Sequence, residues 1–133
     1  MNTVNPFHRI RSQARFWIAA LLLPLPAPLW AAELVMVESP GCHYCTSWKR
    51  DLGPIYPKTA AGQYAPLRMI DIDDPQPADI RFARKVVFTP TFVLLQDGRE
   101  LGRIEGYPGE DFFWGLLEKL LREQTDYATP NGT

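Results

Sequence analysis

At 133 residues, with 46% hydrophobic and 22% charged side chains, the chain has room for one domain with a modest core. Fourteen Lys and Arg stand against fifteen Asp and Glu, a net charge of −1 with no basic stripe to hold nucleic acid. Residues 1–32 carry Arg9, Arg11 and Arg15 but no acid, then an apolar run from Phe16 to Leu23 that Pro24, Pro26 and Pro28 interrupt. That is the layout of a secretory signal peptide, with the cut expected after Ala31 or Ala32. A spanning helix needs about 20 apolar residues without such breaks. Removing this segment takes away three basic residues and no acidic ones, leaving an exported domain with net charge −4.

The domain is expected over residues 33–124. "ELVMVE" (33–38) reads as a short buried strand. "YCTSWKRDL" (44–52) suits a helix that breaks near Gly53, with a second helical turn restarting at Pro54. "PLRMIDID" (66–73) alternates as a second strand. "DPQPADIRFARKV" (74–86) is expected as a helix, announced by Pro77 and by Asp79 in its first turn. "TPTFVLLQDGRELGRIEG" (89–106) reads as a hairpin turning at Asp97-Gly98. "PGEDFFWGLLEKLLREQ" (108–124) reads as a final helix with Phe112, Phe113, Leu116, Leu117, Leu120 and Leu121 as its apolar stripe. Glu110 and Asp111 in its first turn suit the helix dipole. Residues 125–133 show no pattern and are expected as a flexible tail. The order β-α-β-α-β-β-α gives an α/β fold: a mixed four-stranded sheet with helices on both faces.

The stretch "SPGCHYCTSW" (39–48) holds both cysteines, Cys42 and Cys45. Covalent haem attachment needs Cys-x-x-Cys-His, and Thr46 follows Cys45 instead. Tetrahedral zinc needs four ligands, and this segment offers Cys42, Cys45 and His43 between them, so no metal and no other cofactor is expected. A four-residue staple restrains the unfolded chain little. A redox pair is the stronger reading. Cys42 falls between a strand end and a helix start, where free N–H groups and the helix dipole favour thiolate. Cys45 lies one turn on, within bridging range. Cys42 is therefore expected to attack a partner disulfide and Cys45 to resolve the mixed disulfide. His43, when protonated, would lower the Cys42 pKa further, and a solvated helix-start histidine without a role is its alternative. Gly41 leaves the approach to Cys42 open.

A strand, a Cys-x-x-Cys at the next helix start and a later Thr-Pro opening a hairpin resemble the thioredoxin superfamily over residues 33–124. The resemblance implies a cis Thr89–Pro90 bond facing Cys42, with Thr89 docking the partner chain as an added strand. His43 and Tyr44, the dipeptide between the cysteines, would then tune the pair or meet the substrate. Within the superfamily, "ELVMVESPGCHYC", "PIYPK" (54–58) and "FTPTFVLLQDGRELGRIEGYPGEDFFW" (88–114) resemble the small periplasmic SoxS-type proteins found with bacterial thiosulfate-oxidation genes. That implies a reductase serving a thiol-bearing sulfur-carrier protein, the SoxYZ complex.

The chain also departs from ordinary thioredoxins. Met36 stands where the family often has a buried acid, Arg50 where it has a proline, and Gly41 where it has a tryptophan. Glu38, two residues nearer the site than Met36, is a candidate replacement proton relay for Cys45. Tyr107, in the loop the resemblance places beside the site, is a candidate for shaping the partner groove. The expected partners are a protein substrate held through a transient mixed disulfide and a thiol donor, which the superfamily often finds in a membrane thiol transporter. A monomer is expected, because no exposed apolar stripe is evident. A disulfide oxidant or isomerase, and a non-catalytic binding module of the same fold, are the competing readings.

Overall fold

The computed structural model describes residues 32–128. The expected signal segment up to residue 31 and the last five residues lie outside the described residues. β1 (Ala32–Glu38) runs parallel to β2 (Leu67–Asp71) and antiparallel to β3 (Thr91–Gln96), which returns in β4 (Arg99–Glu105). The sheet order is β2-β1-β3-β4, the mixed four-stranded arrangement expected. Asp97 and Gly98 both have positive φ, 52° and 73°, the backbone of a two-residue hairpin turn.

β1 and β3 are buried on both faces, so their apolar residues run almost without interruption. Leu34, Met36, Phe92 and Leu94 face one core, and Val35, Val37, Val93 and Leu95 the other. Onto the first face pack α1 (His43–Asp51), α2 (Ala60–Tyr64) and α3 (Glu110–Gln124). Trp48 of α1, Phe92 and Phe113 form its centre, with the Phe92 and Phe113 rings 4.8 Å apart in an edge-to-face contact. The break after α1 falls where Gly53 predicts. The chain restarts in a 3-10 turn, Tyr56–Lys58, with Pro57 rather than Pro54 in its first turn. Thr59 then caps α2, its hydroxyl accepting from the Gly62 N–H at 3.0 Å.

The helix expected over 74–86 is absent, so the described helices cover one face of the sheet and an irregular segment covers the other. Backbone groups of Arg81 and Ala83 go to the β3–β4 hairpin instead of to an intrahelical ladder. Arg81 donates to the Gly98 carbonyl at 2.7 Å and accepts from the Glu100 N–H at 3.1 Å. Ala83 N–H donates to the Glu100 carboxylate at 2.7 Å. Arg103 holds that carboxylate with two hydrogen bonds of 2.7 Å, and its Nη2 also donates to the Arg84 carbonyl. Ile80 and Val86 are thereby pressed onto Val35, Val37, Val93 and Leu95.

The apolar stripe of α3 is narrower than expected. Phe113, Leu117 and Leu121 are buried and Leu120 packs against the core, but Phe112 and Leu116 are 70% and 43% exposed. After α3 the chain stays attached: Tyr127 is buried, its ring 5.1 Å from that of Tyr64.

Candidate active site

Three segments meet beyond the C-terminal end of β1. The register pairs Val37 with Thr91 and Thr91 with Glu105. The loop before β3 and the loop after β4 are thus carried to the turn that follows β1. Gly106 N–H donates to the Pro90 carbonyl at 2.7 Å, and the Ser39 and Thr89 hydroxyls are hydrogen-bonded at 2.8 Å. Cys42 N–H donates back to the Ser39 carbonyl, so Ser39 ties Thr89 to the cysteine segment. The Thr89–Pro90 bond is cis, as the resemblance implies. Sequence reasoning missed Ser39; a hydroxyl residue at a strand end ahead of Pro-Gly was its only signal.

Cys42 is the N-cap of α1 and is joined to Cys45 in a disulfide with Cα atoms 5.3 Å apart. Its Sγ also accepts from the Cys45 N–H at 3.1 Å. No acid occupies the first turn of α1, so the positive end of the helix is left to the sulfur. The two cysteines differ in access: Cys42 is partly exposed, whereas Cys45 is 1% exposed and belongs to the core cluster. Only one sulfur of the pair is open to a large partner.

A cleft of about 240 Å³ opens beside the disulfide, lined by Glu38, Gly41, Cys42, Cys45, Lys49 and Asp71, among others. Glu38 does reach the neighbourhood of Cys45, and it is ion-paired with Lys49. Lys49 was not singled out from sequence, although its i+4 spacing from Cys45 sets it on the same helix face. Met36, at the position of the family's buried acid, is fully buried among apolar residues.

His43 and Tyr44 are exposed, their rings edge-to-face at 5.6 Å. Tyr44 shares a shallow depression with Glu105, Gly106, Tyr107 and Pro108. Tyr107 is buried, and its hydroxyl donates to Asp51 at 3.4 Å. Burial, then the Asp51 charge, push its phenol above the ordinary tyrosine range. Val87 and Phe88, just before Thr89, are 58% and 60% exposed. Together with Tyr44 they are large apolar side chains left at the surface.

The thioredoxin-like domain family matches residues 32–121. The periplasmic thioredoxin SoxS from Paracoccus pantotrophus, solved in its reduced form, is 48% identical, with a TM-score of 0.68 over 69% of this chain and 97% of that one. Fasciola hepatica thioredoxin is 20% identical, with a TM-score of 0.52 over 68% of this chain and 81% of that one, a likeness of fold alone. No curated protein matches. The family match runs from the first residue of β1 almost to the end of α3, and the paired cysteines sit inside it: the chain belongs to the thioredoxin-like family and is a thiol–disulfide oxidoreductase.

Proposed function

We propose that this oxidoreductase works as an exported reductase of partner-protein disulfides, with Cys42 as nucleophile and Cys45 as the resolving thiol. The observation that carries the reading is the unequal access of the two sulfurs. The Cys42 thiolate attacks one sulfur of a partner disulfide, and the partner's other sulfur leaves as a thiolate that takes a proton. Cys45 then gives up its proton, attacks the Cys42 sulfur and releases the partner's second thiol. Two electrons have passed to the partner, and the protein is left as the Cys42–Cys45 disulfide. A thiol donor, with a membrane thiol transporter as the candidate, returns the pair to the dithiol.

In this reading Thr89 and Pro90 dock the partner's backbone beside Cys42, and Tyr44 and the exposed His43 border its approach. Glu38 accepts the Cys45 proton in the resolving step, with Lys49 holding its carboxylate. The basic, apolar and proline-interrupted start of the chain supports export to the periplasm, and the likeness to a periplasmic thioredoxin agrees with it. The resemblance of its motifs to SoxS-type proteins supports a dedicated substrate: a thiol-bearing sulfur-carrier protein of thiosulfate oxidation. Direction is tested by acid-quenching cells that export the protein and alkylating its free thiols. A reductase is found mostly as the dithiol. A chain held mostly as the disulfide would make it an oxidant.

A further inference from the structure

The exposed face of α3 has the shape of half an interface. Phe112 is 70% and Leu116 43% exposed, and beside them lies a nearly all-apolar recess of about 280 Å³ walled by Asp111, Phe112, Gly115 and Leu116. Gly115 lines it. Glycine is the least favourable residue other than proline in a helix interior, and nothing among the described residues requires one here, because a Cβ at Gly115 would meet none of their atoms within 4 Å. What a Cβ would fill is the recess itself.

We propose that this face is a homodimer contact, in which Phe112 of one copy enters the recess over Gly115 of the other. A two-fold contact must carry both knob and hole on one patch. Here they are three residues apart, adjacent on a helix surface. The charges agree with antiparallel helices. Asp111 lies at one end of the patch and Lys119 at the other, so a two-fold axis between them sets each Asp111 against the second copy's Lys119. Among the described residues, Lys119 has only a loose 3.9 Å ion pair with the exposed Glu123 to give up. The monomer expected from sequence rested on there being no exposed apolar stripe, and Phe112 with Leu116 removes that ground. One helix face covers less than the roughly 1,600 Å² of a standard stable interface, so the dimer is weak and depends on concentration.

Sedimentation of the full chain, isolated from an exporting host, tests this from micromolar to millimolar protein. Wild type moves from the mass of one copy toward that of two. Gly115→Leu fills the recess and weakens association about tenfold or more. Gly115→Ala separates the interface from folding: it raises the thermal midpoint of the dilute monomer while weakening the dimer. Asp111→Lys or Lys119→Asp alone weakens association, and the two together restore it. A single-copy mass at every concentration overturns the proposal, as does a dimer that Gly115→Leu leaves unchanged.

Discussion

Arg103→Met is the substitution whose cost the structure defines most closely. The Arg103 and Glu100 side chains are 6% and 5% exposed and meet through two hydrogen bonds of 2.7 Å. Methionine keeps most of the arginine stem's packing and removes the charge. Glu100 is then left buried with the Ala83 N–H as its remaining hydrogen-bond donor. Breaking a buried pair from one side costs about 3–5 kcal/mol. Protonation caps the loss, because neutralising a carboxyl of ordinary pKa at pH 7 costs about 4 kcal/mol. The expected loss is therefore about 3 kcal/mol, a large part of the roughly 5–15 kcal/mol that holds a domain. Urea unfolding measures it, with Arg68→Met as the control. Arg68 and its partner Asp79 are 36% and 64% exposed, so that loss stays within about 1 kcal/mol. Because the pair anchors the 81–86 segment that leads to Thr89 and Pro90, Arg103→Met also lowers kcat/KM toward a protein disulfide. A loss no larger than that of Arg68→Met refutes the clamp.

The same pair sets a pH dependence. Burial alone would raise the Glu100 carboxyl, but the hydrogen bonds from Arg103 and the Ala83 N–H outweigh it and hold it below the ordinary value. Its contribution is whole above the ordinary glutamate value of about 4.3 and is lost as pH falls through the depressed one. Wild-type stability therefore drops below about pH 4, while the Arg103→Met deficit narrows from pH 7 to about pH 5 as its unpaired carboxyl takes up a proton; denaturant midpoints across pH read both. Gly98→Ala meets a positive φ of 73° and an Asp79 carbonyl oxygen 2.0 Å from the new Cβ, so it costs about 1–3 kcal/mol by thermal unfolding. Glu38→Gln shifts the pH profile of mixed-disulfide resolution and slows it at neutral pH. An unchanged profile removes Glu38 from the proton path.

Where one residue decides a local structure, the sequence made it legible. Asp97-Gly98 marked the hairpin, and the Cys-x-x-Cys marked the strand-to-helix junction at which Cys42 caps α1. Residues 74–86 show the opposite case. Pro77 and Asp79 resemble a helix start, but the residues that press onto the sheet, Ile80, Phe82 and Val86, are not spaced for one helix face. What decides the segment is the distant β3–β4 hairpin, whose Gly98 carbonyl and Glu100 carboxylate take its N–H groups. Such partners have no local signal. The Ser39–Thr89 hydrogen bond, fifty residues apart, was hidden for the same reason. On α3, Phe112 and Leu116 carry the hydrophobicity of core residues, and composition alone does not tell a buried stripe from one left open for a partner.

In the proposed mechanism Cys42 attacks protein disulfides and Cys45 resolves them. A Cys45→Ser chain, expressed in an exporting host related to its source, tests it in one step. With attack intact and resolution removed, non-reducing gels and mass spectrometry should find Cys42 joined to one dominant partner, a sulfur-carrier protein, with no adduct in the Cys42→Ser chain. A ladder of many exported proteins would replace the dedicated reductase with a general one. No Cys42 adduct at all, or equal trapping by the Cys42→Ser chain, would contradict the assignment of the two sulfurs.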